Sequence, residues 1–207
     1  MSSDAAQLIE EIARDVNACT RCELHRSRTQ GVPGMGNPQA EIMFIGEAPG
    51  VNEDRQGLPF VGNAGRFLDE MLNSIGWDRD TVYITNIVKS RPPGNRDPLP
   101  DEIAACAVYL DRQIEAIDPF MIVTLGRFSM ARWFENERIS RIHGRARRFG
   151  NRIVVSLYHP AAALHQPSLR AVIQEDFKKL PLILEEFKQQ VDDDADAEDE
   201  PEQMSLF

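Results

Sequence analysis

The sequence predicts an α/β fold in which a parallel sheet is covered by helices on both faces. Three observations carry the prediction. Short apolar runs of strand length, rich in Ile, Val and Phe, recur at residues 41–46, 82–88, 120–125 and 153–157, each bounded by Gly, Pro or Asn. Stretches with helical periodicity lie between them. The length, 207 residues, suits one domain with a substantial core. Parallel neighbours need a crossover connection, and alternating strands and helices supply one.

The elements follow in order. Residues 4–17 place Leu8, Ile9, Ile12 and Val16 at helical spacing. After the first strand, residues 64–75 do the same with Phe67, Leu68, Met71 and Leu72, and residues 101–117 with Ile103, Leu110, Ile114 and Ile117. A shorter helix fits 127–134. The last helix fits 168–190 through Leu169, Ile173, Phe177, Leu180, Leu184 and Phe187, and Pro181 is expected to kink or interrupt it. Residues 191–207 hold eight acids and no Lys or Arg, the composition of a disordered tail. The expected organisation is therefore one domain over 1–190 followed by an acidic tail over 191–207.

With 42% hydrophobic and 27% charged residues, the composition excludes collagen-like, wholly disordered and disulfide-scaffold classes. No apolar run approaches the roughly 18 residues of a membrane span, and the N-terminus carries no signal-peptide pattern, so no membrane partner and a cytoplasmic location are expected. The net charge is −10. Removing the eight tail acids leaves 25 acids against 23 bases, a nearly neutral body. Within it, Arg138, Arg141, Arg145, Arg147, Arg148 and Arg152 occur in fifteen residues without an acid. Such a stretch is either a solvated surface loop or a phosphate-binding face.

In parallel sheets, ligands sit beyond the carboxyl ends of the strands, so the residues just after each strand carry the chemistry. The first such loop, residues 46–54, holds Glu47, Ala48, Glu53 and Asp54, and is followed by the Gly-rich stretch 57–65 opening a helix. Its carboxylates either solvate a turn or position a water. Phe60 in that stretch is either a loop staple or a flat face for a planar ligand. Asn86 at the end of the second strand either caps a turn or reads a base edge, since an amide both donates and accepts. His159 after the last strand is either structural or a donor to a developing oxyanion. Cys19 and Cys22 form a CxxC pair outside any βαβ unit; with Cys106 they make three thiols, one short of the usual four for zinc or an iron–sulfur cluster. The terminal Gln203, Leu206 and Phe207 are either a frayed end or a docking peptide.

Taken in order, these segments resemble the family 4, iron–sulfur uracil-DNA glycosylases. The resemblance rests on Cys19-Thr-Arg-Cys22, Gly46-Glu-Ala-Pro-Gly50 with Glu53-Asp54, and Gly57-Leu-Pro-Phe-Val-Gly-Asn-Ala-Gly65. It continues through Thr85-Asn-Ile-Val-Lys-Ser-Arg-Pro-Pro-Gly-Asn-Arg96, Cys106, Leu125-Gly126 and Tyr158-His-Pro-Ala-Ala162, so it spans about residues 15 to 185. It implies a three-layer αβα sandwich with a central four-stranded parallel sheet. The implied activity is hydrolysis of the bond joining uracil to deoxyribose, after the base is flipped out of DNA. Phe60 is then expected to stack on uracil, Asn86 to pair with its O4 and N3 edge, and His159 to donate to O2, with Glu47 and Ala48 lining the same site. Ala48 stands where the best-known branch has an Asp, which leaves Glu53, Glu47 and Asn95 as candidates to hold the water. Lys89, Arg91, Arg141 and Arg145 are expected to face phosphates, and Leu164 to wedge into the hole left by the base.

The same resemblance implies a [4Fe-4S] cluster on Cys19, Cys22 and Cys106. Ser90 occupies the fourth ligand position, where the family has a cysteine, so the cluster is expected to be altered or labile. No histidine lies between Lys89 and Cys106, which disfavours the branch that traps DNA covalently. The Gln203, Leu206 and Phe207 pattern resembles the peptide by which bacterial repair proteins dock on the replication sliding clamp. The expected partners are uracil-containing DNA and that clamp, with the protein acting as a monomer. The alternative is a uracil-DNA binding module with weak or no turnover.

Overall fold

The computed structural model describes residues 2–198. Six strands form one sheet: β1 (Met35–Gly36), β2 (Ile42–Gly46), β3 (Tyr83–Asn86), β4 (Met121–Leu125), β5 (Arg145–Phe149) and β6 (Arg152–Leu157), in the order β1-β3-β2-β4-β6-β5. The helices are α1 (Ser2–Ala18), α2 (Val51–Gln56), α3 (Asn63–Ser74), α4 (Pro100–Ile117), α5 (Arg127–Ala131), α6 (Ile139–Ile142), α7 (Pro160–His165) and α8 (Ser168–Glu198).

The four central strands β3, β2, β4 and β6 are parallel, as the alternation of strands and helices predicts. They are buried on both faces, and successive residues serve opposite layers. Ile42 and Phe44 pack with Phe67, Leu68, Phe177 and Leu180 of α3 and α8, whereas Met43 and Ile45 pack with Leu110, Ile117 and Met130 of α4 and α5. The sheet also has two antiparallel edges, β1 and β5, beyond the four expected strands. The arginine-rich stretch therefore contains an edge strand. An exposed run such as Arg145-Ala-Arg-Arg carries no apolar alternation, yet arginines suit an open edge because their charge deters further pairing.

Two further boundaries differ from expectation. The second parallel strand stops at Asn86, though Ile87 and Val88 stay buried and donate their N–H groups to the carbonyls of Gly46 (3.1 Å) and Glu47 (3.2 Å). The final helix is not interrupted at Pro181 and extends to Glu198. Phe177, Leu180, Leu184 and Phe187 bury against the sheet on both sides of the proline, and that packing outweighs one missing hydrogen bond. Among the described residues no helix is long and apolar enough to cross a membrane. Gln203, Leu206 and Phe207 lie outside the described residues.

Candidate active site

The carboxyl ends of β2, β3 and β6 open into a cleft of about 510 Å³. Glu47, Ala48, Glu53, Phe60, Asn86, Asn95 and His159, drawn from the segments at and after the ends of β2, β3 and β6, all line it. Sequence reasoning did not single out Arg96, Asp97 and His165, which line it too.

Gly46 ends β2 and explains how two of these side chains meet. A Cβ there would lie 2.4 Å from Asn86 Oδ1 and 2.6 Å from Phe60 Cζ, so only glycine lets the amide and the ring close over the backbone. Asn86 lines the cleft and is 1% exposed, and among the described residues its Oδ1 has no hydrogen-bond partner. A buried acceptor left open is costly unless a ligand donor completes it.

Phe60 has φ 53°, a left-handed backbone that a bulky residue adopts only when its surroundings impose it. Here Arg79 donates to the carbonyls of Pro59 (3.0 Å) and Phe60, and its Nε pairs with Asp69 at 2.7 Å. Gly65 completes the clamp, since a Cβ at that position would come within 1.7 Å of the Phe60 carbonyl oxygen. Arg79 lies between the Gly57–Gly65 and Thr85–Arg96 motifs and belongs to neither, and nothing local marks it.

The Phe60 ring stacks on His159 with centroids 5.5 Å apart. His159 caps the N-terminus of α7, where its Nδ1 accepts from the Ala161 N–H at 3.1 Å. Nδ1 is therefore unprotonated, and the ring hydrogen sits on Nε2. Burial holds the imidazole pKa down to about 4, against a smaller opposing pull from Glu53, so the ring is a neutral donor near pH 7.

The two loop carboxylates differ in their bonding. Glu53 Oε1 accepts from the N–H groups of Val61 (2.9 Å) and Gly62 (2.8 Å), and Oε2 accepts from Gly50 at 3.1 Å. That carboxylate staples the Phe60 loop to α2. Glu47 makes no hydrogen bond from its side chain among the described residues; burial, and then the charge of Asp97, push its pKa up. Asn95 has a left-handed backbone and its Oδ1 accepts from Arg91 Nε at 2.7 Å, so both partners are engaged. Asp54 is buried, holding Thr29 through its backbone N–H (2.9 Å) and hydroxyl (2.7 Å).

Lys89 corrects the sequence expectation outright. It does not face phosphate: it is 1% exposed, and its ammonium donates to Thr85 Oγ1 and Gln113 Oε1 at 2.6 Å and to the Asn86 carbonyl at 2.7 Å. A lysine in a hydrophilic-looking loop reads as exposed, but Val88 and Ser90 on either side are buried as well and carry it inward.

The remaining basic residues divide by position along the hairpin. Because β5 runs antiparallel to β6, its first residue Arg145 pairs with Ser156 at the cleft end of the sheet, whereas Phe149 pairs with Arg152 at the far end. Arg147 is tied to Glu137 (3.6 Å) and the Phe134 ring, and Arg152 to Asp118. Arg138, Arg141 and Arg145 are exposed and form no ion pair among the described residues. Leu164 on α7 is 46% exposed, beside the cleft-lining Ala161, Ala162 and His165.

A second pocket gathers Cys19, Cys22, Cys106 and Ser90, with Arg28, Tyr109, Val16 and Leu24 in its wall. Cys106 Sγ accepts the Lys89 backbone N–H at 3.2 Å, and burial pushes the Cys106 and Cys22 thiols up. Arg28 donates to Ser90 Oγ at 2.8 Å and to the Cys19 carbonyl at 3.0 Å. Among the described residues no three His, Cys, Asp or Glu side chains converge closely enough for a single ion. Three thiols and a hydroxyl around one pocket match in kind the thiolate ligation of an iron–sulfur cluster at three of its four corners.

The chain was compared with known proteins. A family model described as the uracil DNA glycosylase superfamily matches residues 33–186. The type-4 uracil-DNA glycosylase of Archaeoglobus fulgidus is 50% identical over 181 residues, covering 83% of this chain and 91% of that protein. That of Sulfurisphaera tokodaii is 52% identical, covering 83% of each. A third, from Thermotoga maritima, is 42% identical over 84% of this chain and 93% of its own length. With matches of this extent in sequence, and a parallel-sheet cleft of the kind just described, the chain belongs to the uracil-DNA glycosylase superfamily and, within it, to the type-4 enzymes.

Proposed function

We propose that this enzyme excises uracil from DNA in the cleft at the ends of β2, β3 and β6, and that the observation carrying the assignment of roles is the unpartnered, buried Oδ1 of Asn86. Uracil offers an N3–H donor and an O4 acceptor side by side, the complement of an amide. Cytosine presents N3 as an acceptor and N4 as a donor, which leaves both groups unmatched when the amide is held in one orientation. The flipped base lies against Phe60. His159, neutral and carrying its hydrogen on Nε2, donates to uracil O2 as negative charge builds on the departing base. Glu47, whose carboxylate is otherwise unengaged, holds the water that attacks the oxocarbenium-like sugar. Glu53 organises the loop that presents Phe60.

Arg141 of α6 and Arg145 at the cleft end of β5 meet phosphates, and Leu164 fills the gap left in the duplex. Cys19, Cys22 and Cys106 hold an iron–sulfur cluster that fastens residues 15–25 to 90–106, with Ser90 at the weak corner. The Gln203, Leu206 and Phe207 segment docks on the sliding clamp. Incubation of the full chain with uracil-containing single strands and U·G duplexes, followed by alkali, tests the activity. Strand breaks at uracil are expected, and His159→Ala is expected to slow them about 10²–10³-fold. Tight uracil-dependent binding without breaks would instead favour a binding module.

A further inference from the structure

Behind Asn86 lies a buried lysine that the catalytic roles above do not use. The β2–β3 ladder ends at the Gly46–Asn86 pair, so the last carbonyl of β3 stands at the edge of regular structure. Lys89 meets it there. Its ammonium has three N–H donors, and three buried acceptors receive them: the Asn86 carbonyl at 2.7 Å, Thr85 Oγ1 at 2.6 Å and Gln113 Oε1 at 2.6 Å. None is a carboxylate. The brace is itself braced, because Gln113, fully buried, donates to the Pro33 carbonyl (2.7 Å) and the Tyr83 hydroxyl (3.1 Å). The Lys89 main chain is also anchored at both ends, its N–H on Cys106 Sγ and its carbonyl receiving the Val32 N–H at 2.8 Å.

Burial brings the Lys89 pKa down to about 7, so keeping the proton there is costly, and a methionine of similar length would fill the space at lower cost. The geometry points to a positioning role: we infer that Lys89 fixes the Asn86 carbonyl, and through that peptide the direction of the side-chain amide that reads uracil. The inference rests on the reading of Asn86 as the uracil-pairing residue.

A double-mutant cycle tests it with the full chain. Excision rate, inhibition by free uracil, affinity for abasic-site DNA and iron content are measured for the parent, Lys89→Met, Asn86→Ala and the double variant. Lys89→Met is expected to weaken both uracil inhibition and kcat/KM by about tenfold or more, as loss of a buried charged hydrogen bond does. Affinity for abasic-site DNA and iron content stay unchanged, and in the Asn86→Ala background the lysine replacement adds little. A crippled Asn86→Ala enzyme whose loss Lys89→Met multiplies independently would overturn the inference alone. Full-rate excision by Asn86→Ala would overturn the uracil reading and the inference with it. If Lys89→Met does not fold, Thr85→Val removes one acceptor at nearly constant shape; weaker uracil inhibition supports the role, and unchanged inhibition refutes it.

Discussion

A carboxylate that already accepts three backbone N–H bonds has little left to offer a water, and this separates Glu53 from Glu47. Glu47→Gln is expected to lower the single-turnover rate strongly while leaving the melting temperature unchanged. Glu53→Gln should do the reverse first, lowering thermal stability by about 1–3 kcal/mol through the loop it staples. Calorimetry alongside rate measurements distinguishes them. The pH dependence follows from the same groups. Glu47 must be ionised, and burial followed by Asp97 raises its pKa, so activity falls with acid before His159 is protonated near pH 4. Asp97→Asn removes a like charge and should move that acid limb to lower pH. For His159 the folded pKa lies below the unfolded value, so the unfolded chain takes up the proton first. Its contribution to stability is whole above about pH 6.5 and declines toward pH 4. Ser90, held by Arg28, bears on the cluster: Ser90→Cys should raise the iron retained per chain in air, and unchanged iron would sink the weak-corner reading.

At the level of elements, the β5–β6 hairpin sorts its four arginines by direction alone. Antiparallel pairing places Arg145 at the cleft end and sends Arg152 to the far end, where Asp118 engages it. Replacing Arg141 and Arg145 together by Ala is expected to reduce the slope of log binding constant against log salt by about 1.5 to 2, one phosphate contact each. Arg152→Ala should leave the slope unchanged. A uniform effect of all three would mean that the hairpin contributes only net charge. The hairpin also shows a limit of pattern reading: Arg145-Ala-Arg-Arg lacks the apolar alternation of a strand and pairs because β6 offers an open edge.

Across the whole molecule, the sheet brings residues from positions 47 to 165 into one cleft, while the C-terminal segment lies apart in sequence from everything that lines it. A chain ended at residue 198 is expected to excise uracil at the parent rate and to lose affinity for the sliding clamp. Retained clamp binding in a pull-down would remove Gln203, Leu206 and Phe207 from consideration. The acidic tail and basic hairpin also explain how a chain of net charge −10 handles DNA: opposite charges are segregated along the sequence and need not cancel at the binding face.

By itself the sequence determined the layer architecture, because strand-length apolar runs alternating with 3.6-period helices can bury their faces only as a parallel sheet with helices on both sides. It also named seven of the residues that line the cleft, though not Arg96, Asp97 or His165, since motifs that follow strands must collect at one edge of such a sheet. Tertiary structure alone decided which of those residues are free to act. Arg79 locks Phe60 from 19 residues away, Gln113 receives Lys89 from 24 residues away, and three backbone amides occupy Glu53. Local pattern reports burial and periodicity, whereas hydrogen-bond partners are set by contacts between distant segments. A side chain's partners, more than its type, separate Asn86, whose Oδ1 stays open, from Lys89, which is bonded to its carbonyl.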